Sequence, residues 1–246
     1  MSETVLITGA LGGIGRATAS LFRSAGWTVA GADRLDAAAD ASLDAYLQLD
    51  LARHDLEDEL AGFIERLDGL HALVNNAAMQ LEKPLTNLHV TEWDEVMATN
   101  LRGAFLAVQV AAAPLRRSGG AIVNVSSVHA MATSRGLAAY ATSKGALAAF
   151  TRAAALELAP EVRVNAVLPG AVDTPMLRAG LSRWATADGL DDAVEALAAR
   201  TPLRRIGSPE EIAEAILFLS DRNRSSFITG QTLVVDGGAT VQLSTE

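Results

Sequence analysis

The chain contains no cysteine, which removes disulfide scaffolds, thiolate metal sites and thiol nucleophiles together and suits a reducing compartment. A cytoplasmic location is the expectation. Its four histidines, at 54, 71, 89 and 129, fall into no H-E-x-x-H or comparable ligand spacing, so no metal site is expected. The longest basic groups are the pairs Arg116-Arg117 and Arg204-Arg205, and 20 basic against 29 acidic side chains leave a formal net charge of -9. Polyanion binding runs on phosphate neutralisation, so nucleic acid is not an expected partner. No apolar run approaches the roughly 20 residues of a bilayer span, and the greasiest stretch, GAFLAVQVAAAPL, has the length of a buried helix. Met1-Ser2-Glu3-Thr4 lacks the basic start of a secretion signal, and no membrane association is expected. Lysine and tyrosine are scarce, with only Lys83, Lys144, Tyr46 and Tyr140 present.

The chain does have core-forming residues: 50% of its 246 residues are hydrophobic, enough for one large domain. Period-2 or continuous β-branched runs predict strands at 4–8, 28–32, 45–49, 71–75, 121–125, 162–167 and 232–236. Helical periodicity predicts helices at 14–25, 55–67, 92–116, 140–158 and 208–220. That alternation predicts a single α/β domain over 1–246, a Rossmann-type, doubly wound, seven-stranded parallel sheet flanked by helices. Ser208, Pro209 and Glu211 mark the last helix start, and Thr91 with Asp94 gives a weaker mark of the same kind. The stretch 171–207 has no strand pattern and is long for a connection, which predicts short helices forming a substrate-binding flap.

Between the first strand and first helix lies Thr8-Gly9-Ala10-Leu11-Gly12-Gly13-Ile14-Gly15. Glycines there permit close approach of a phosphate, and a helix start offers free N–H groups to it. No Lys-Ser/Thr follows them, so the loop suits a dinucleotide better than ATP. Asp33, closing the second strand, is placed to accept hydrogen bonds from adenosine ribose hydroxyls and to repel a 2'-phosphate, so NAD(H) is the expected cofactor. Arg34 beside it could pair with a phosphate or lie on the adenine. Asp50 and Leu51, after the third strand, are further candidates at the adenine end.

Tyr140 and Lys144 stand at i and i+4 on a helical segment, sharing one face. An ammonium so placed is expected to favour the phenolate of a group whose ordinary pKa is near 10. Ser126 and Ser127 end the fifth strand and Asn75-Asn76 the fourth, at the sheet edge where open α/β folds bind ligands.

With these residues assembled, the chain resembles a classical short-chain dehydrogenase/reductase along essentially its whole length. Thr8-Gly9-x-x-x-Gly13-x-Gly15 is similar to the family's cofactor loop, and Asn75-Asn76-Ala77-Ala78 to its Asn-Asn-Ala-Gly motif, with Ala78 in place of the usual Gly. Asn100 matches the Asn whose backbone carbonyl holds a water near the lysine; Ser127, thirteen residues before Tyr140, matches the substrate-orienting serine. Asn165 with Pro169-Gly170 matches a further motif, Val172 to Thr174 resembles the segment that binds the nicotinamide carboxamide, and Asp236-Gly237-Gly238 resembles the closing element.

The resemblance implies a catalytic set of Asn100, Ser127, Tyr140 and Lys144. It implies a cofactor site drawn from Gly9, Gly12, Gly13, Ile14, Gly15, Asp33, Arg34, Asp50, Leu51, Asn76, Ala77, Tyr140, Lys144, Pro169, Gly170, Val172 and Thr174. Expected substrate contacts are Ser127, His129, Met131, Tyr140, Met176, Leu177 and Trp184, for a small secondary alcohol or ketone. Reduction of a 3-oxoacyl thioester is the alternative within the family, and a nucleotide-sensing or scaffolding role is the alternative outside catalysis. Arg135 and Arg178 are candidates for an anionic substrate group. A homotetramer, or a dimer, is expected through the helices containing Asn100 and Tyr140.

Overall fold

The computed structural model describes residues 2–36, 42–182 and 189–241. Strands β1 (Thr4–Thr8), β2 (Thr28–Asp33), β3 (Ala45–Gln48), β4 (Ala72–Asn75), β5 (Ala121–Val125), β6 (Arg163–Pro169) and β7 (Thr232–Val235) form one sheet, ordered β3-β2-β1-β4-β5-β6-β7. Every pairing is parallel. The chain winds outward from β1 in one direction through β2 and β3, and from β4 in the other. The switch between β1 and β4 opens a crevice at the carboxyl ends of the strands.

Alternation along the strands sorts the core into two layers. Leu6, Leu73, Ile122 and Val164 face one side, and Val5, Ile7, Val74, Val123 and Val167 the other. Helices α2 (Glu57–Glu65), α4 (Gly103–Ser118) and α5 (Ala138–Leu158) cover the first face; α1 (Gly13–Ser24) packs on α8 (Pro209–Ser220) over the second. Both faces are covered, which is why the strands read as apolar runs.

The expected 92–116 helix is three pieces. Helix α3 (Val90–Met97) passes through a π-helical turn, Ala98–Arg102, into α4. Its start also differs: Glu92, not Asp94, reaches back to a backbone amide, that of His89 (2.9 Å), while Lys83 Nζ pairs with Glu92 at 2.8 Å. The continuous helical run Val90–Ser118 has the length and mean hydropathy, 1.3, of a bilayer span, more than the apolar stretch alone indicates, and half of that window is buried inside the fold. The Ser208 cap forms as expected, with Glu211 returning to the Ser208 amide at 2.9 Å.

Residues 171–207 leave and rejoin the sheet edge at one point, where Gly207 N–H donates to the Ala171 carbonyl (2.8 Å) and Asp173 N–H to that of Gly207 (2.9 Å). Between these ends lie α6 (Pro175–Leu181) and α7 (Leu190–Ala199). Arg178 is tied to Asp173 at 2.6 Å and approaches Asp191 at 3.8 Å, linking α6 to α7. Arg178 is not among the residues that line the cleft described below.

Arg163 at the start of β6 is 8% exposed and donates to the carbonyls of Leu219 (2.8 Å), Ser220 (3.0 Å) and Ser225 (3.1 Å), ending α8 and the short α9 (Arg222–Ser225). Helix ends leave carbonyls without intrahelical partners, and a cation there also suits the dipole. Replacing Arg163 by Leu is expected to destabilise the fold by about 2–4 kcal/mol, because buried carbonyls lose a charged donor. Urea unfolding of both proteins measures it, and a loss under about 0.5 kcal/mol, the size of an ordinary surface change, sinks this account.

Candidate active site

The loop after β1 is shaped by contacts that a side chain would block. Gly9 has φ +63°, and a Cβ there would lie 2.7 Å from the Ala77 backbone. A Cβ on Gly15 would collide with the Gly9 carbonyl oxygen. Asn76 braces the same loop, donating from Nδ2 to the carbonyls of Gly9 (2.9 Å) and Thr8 (3.2 Å). Thr8 Oγ1 accepts the amides of Asn76 and Ala77. The result is an open cradle at the start of α1, where Gly12, Gly13 and Ile14 line a cleft of about 810 Å³. A phosphate-bearing group fits it, since backbone amides at a helix start favour an anion.

At one end of this cleft stands Asp33. Its carboxylate accepts the amide of Leu11 at 3.0 Å and that of Leu35 at 3.2 Å. Arg34, Asp50 and Leu51 line the same end. Toward the other end lie Ser127, His129, Tyr140, Lys144, Met176 and Leu177. Pro169, Gly170, Val172 and Thr174 also line the cleft, and Thr174 Oγ1 caps α6 by accepting the Leu177 amide.

Burial sets the electrostatics at that second end. Tyr140 is pushed above the usual phenol range by loss of solvent, partly opposed by its hydrogen bond with Ser127. Lys144 is 1% exposed, and its burial lowers the ammonium from 10.5 to about 8. Lys144 Nζ donates to the Val125 carbonyl at 2.8 Å and lies 5.7 Å from the Tyr140 ring centroid. On balance burial raises this phenol, the opposite direction to that expected of a neighbouring ammonium alone. Neutralising tendencies on adjacent groups, one acid and one base, are a pattern that clusters at functional sites.

Asn100 does not line the cleft. It sits 1% exposed in the π-helical turn, where its side chain accepts the Met79 amide (2.7 Å) and donates to the Met79 carbonyl (2.9 Å) and to Ser143 Oγ (3.0 Å). Ser143 in turn donates to the Tyr140 carbonyl at 2.7 Å. Asn100 thus ties the 79 segment to the helix that carries Tyr140, and a π turn near functional residues is a recurrent device. Gly15 also lies outside the lining: its part is close packing under Gly9.

One expected substrate contact changes. Met131 is 64% exposed and outside the cleft, because the 3-10 turn Val128–Ala130 swings the chain away after His129. Trp184 lies outside the described residues. Leu11, Glu95, Thr99, Arg200 and Thr240 line the cleft and were not expected. Leu11 and Thr240 had a signal, standing within or just after glycine motifs, and Arg200 lies within the segment expected to form a flap; Glu95 and Thr99 had none, being brought in by helix packing. Among the described residues no cluster of His, Asp and Glu could hold a metal ion.

A family model described as enoyl-(acyl carrier protein) reductase matches residues 9–240. The chain is 36% identical over 251 residues to the 3-oxoacyl-(acyl-carrier-protein) reductase FabG of Thermotoga maritima, spanning 97% of this chain and 98% of that one. It is likewise 36% identical over 253 residues to a cyclopentanol dehydrogenase of Comamonas sp., spanning 97% of each. The ligand-free structure of Thermoplasma acidophilum aldohexose dehydrogenase superposes with a TM-score of 0.92 at 33% identity, over 99% of this chain and 96% of the other.

Proposed function

We propose, because this chain belongs to the short-chain dehydrogenase/reductase family, that it is an NAD(H)-dependent oxidoreductase interconverting a small secondary alcohol and its ketone. Membership makes it an oxidoreductase acting on CH–OH groups or the corresponding carbonyls. The observation that carries the finer reading is the cleft itself. One end offers the glycine cradle and Asp33, the other Ser127, Tyr140 and Lys144.

In this reading the cradle, Asp33, Asn76 and Ala77, and the Pro169, Gly170, Val172 and Thr174 wall hold the nicotinamide dinucleotide. What that group supplies when bound is hydride acceptance and donation. Tyr140 Oη takes the hydroxyl proton in oxidation and returns a proton to the oxygen in reduction. Ser127 Oγ, whose nearness to Tyr140 partly lowers the phenol, orients the substrate oxygen. Lys144 steadies the phenolate and the cofactor ribose. Asn100, through Ser143, holds Tyr140's helix in register. Ser127, His129, Met176 and Leu177 supply a mixed polar and apolar pocket, suited to a moderately polar alcohol or ketone. The cytoplasm and a homotetramer, or dimer, complete the reading; exposed Phe105 (44%) and Leu156 (83%) on α4 and α5 support assembly through those helices.

Similarity to the Thermotoga reductase favours a second reading, reduction of a 3-oxoacyl thioester. A negative Asp33 and a net charge of -9 speak against an NADPH-linked enzyme that docks an acidic carrier. A screen of secondary alcohols, ketones and 3-oxoacyl thioesters with both cofactors separates the two readings.

NADH is expected to bind at least about tenfold more tightly than NADPH, a difference of ~1.4 kcal/mol, since a 2'-phosphate would meet Asp33 as a like charge. Asp33→Ala narrows the gap. Titration of nicotinamide fluorescence measures both, and equal or tighter NADPH binding by the wild type overturns the NAD assignment.

A further inference from the structure

Of the two tyrosines in the chain, the mechanism uses one. The other, Tyr46, lies on β3, the sheet edge beyond β2. In a strand, residues i and i+2 share a face, so Tyr46 and Gln48 lie on one side while Leu47 between them packs against the core. Register places Tyr46 beside Gly31 and Gln48 beside Asp33. A short strand thus sets two polar side chains beside the point where β2 ends.

Beyond Asp33 the chain leaves the ladder, and its carbonyls need other partners. The Asp33 carbonyl still accepts the Leu49 amide at 2.8 Å, and the carbonyls of Asp33, Arg34 and Leu35 all meet side chains of β3. Tyr46 Oη donates to the Asp33 carbonyl at 3.1 Å and also contacts the Leu35 carbonyl. Gln48 Nε2 donates to the intervening Arg34 carbonyl at 3.1 Å. The Leu35 amide is held as well, by Asp33 Oδ1 at 3.2 Å, while Asp33 Oδ2 accepts the Leu11 amide from the glycine loop. The turn carrying Asp33 and Arg34 is therefore clamped from the far side of β2. Burial, with Asp33 and Asp36 nearby, pushes the Tyr46 phenol up to about 12, so it remains a neutral donor at ordinary pH.

We propose that Tyr46 is a positioning residue for cofactor choice. Assisted by Gln48, it fixes the backbone at 33–35 so that Asp33 faces the adenosine ribose site and Arg34 is kept from swinging onto a 2'-phosphate. This rests on the reading of Asp33 as the ribose partner. Without the phenolic oxygen the Leu35 carbonyl loses its partner, the Leu35 amide is free to leave Asp33, and the guanidinium of Arg34 gains access to the position where the like-charge penalty had operated.

The test compares NADH and NADPH dissociation constants for the wild type, Tyr46→Phe and Gln48→Leu, with amide exchange at 34–36 in the cofactor-free chain. In Tyr46→Phe the ratio of NADPH to NADH dissociation constants is expected to fall by about threefold to tenfold, the effect of one ordinary hydrogen bond. Gln48→Leu shifts it the same way by less, and exchange at 34–36 accelerates in both. An unchanged ratio in Tyr46→Phe, or an equal loss of both affinities, overturns the proposal, since a merely structural role moves both cofactors together. A wild type without NADH preference overturns the reading of Asp33 instead. The clamp is then still decided by whether Tyr46→Phe changes the ratio and the exchange.

Discussion

Tyr140→Phe is expected to lower turnover of any accepted alcohol or ketone by about 10²- to 10⁴-fold, the usual contribution of a positioned proton donor or acceptor, while NADH binding stays close to wild type. Phe keeps the ring, so the edge contact with His129 (centroids 5.8 Å apart) and the packing beneath Lys144 survive. Only the oxygen that moves the proton is lost. The pH profile carries a second part of the expectation. Oxidation needs the phenolate, and burial holds this phenol above its ordinary range. The oxidative rate therefore rises with pH through an apparent pKa that belongs to the Tyr140–Lys144 pair, while reduction, which uses the neutral phenol, falls over the same span. Steady-state rates in both directions for wild type and variant measure it. Near-normal turnover by Tyr140→Phe would falsify the mechanism.

Lys144→Met is expected to damage binding and chemistry together. Losing charge-assisted hydrogen bonds to the cofactor ribose costs about 1.5–3 kcal/mol, or roughly 10- to 100-fold in NADH affinity. Turnover falls further, because the phenolate loses its neighbouring cation, and the oxidative pH profile moves to higher pH. Stability follows a sign of its own. The Lys144 pKa falls from 10.5 in the unfolded chain to about 8 when buried, so between these values the unfolded state binds the extra proton. Stability contributed by this group therefore rises with pH from about 8 to 10.5. Tyr140, whose pKa is raised, acts oppositely once pH passes the ordinary phenol value of 10.0. Urea unfolding from pH 7 to 10 should show a rise in the wild type that Lys144→Met lacks. Parallel curves would contradict the burial account, and unchanged NADH affinity would remove the ribose role while leaving the phenol's activation to the kinetic arm.

Much of this molecule could be read from local pattern. Sheet strands and covering helices followed from apolar periodicity, because both depend on spacing along a few residues. The glycine loop was legible for a similar reason: the positive φ of Gly9 and the backbone contact of Gly15 exclude a side chain in any surroundings of this type. Tyr140 and Lys144 share a face through helix geometry alone. Asp33 was found because a strand end is a place in the sequence as well as in space, although β2 runs through it and not merely up to it.

Other features had no local signature. The π-helical turn at 98–102 interrupts what periodicity presents as one helix, and its Asn100 finds Met79 and Ser143 from 21 and 43 residues away. Met131 and His129 are two residues apart, yet a single 3-10 turn sends one to solvent and keeps the other at the cleft. Arg178 pairs at the surface with Asp173 and does not line the cleft.

The sequence alone determined the alternation of strands and helices, the order of the glycine and asparagine motifs and the shared helix face of Tyr140 and Lys144. Each of these rests on backbone geometry that repeats over one or two turns of chain. Tertiary structure alone decided that burial raises the Tyr140 phenol, that Asn100 sits behind the cleft wall, and that Tyr46 reaches from β3 to hold the Asp33 turn. Those outcomes depend on which distant segments become neighbours and how much water they exclude. Both quantities exist only once the sheet has closed around its two cores.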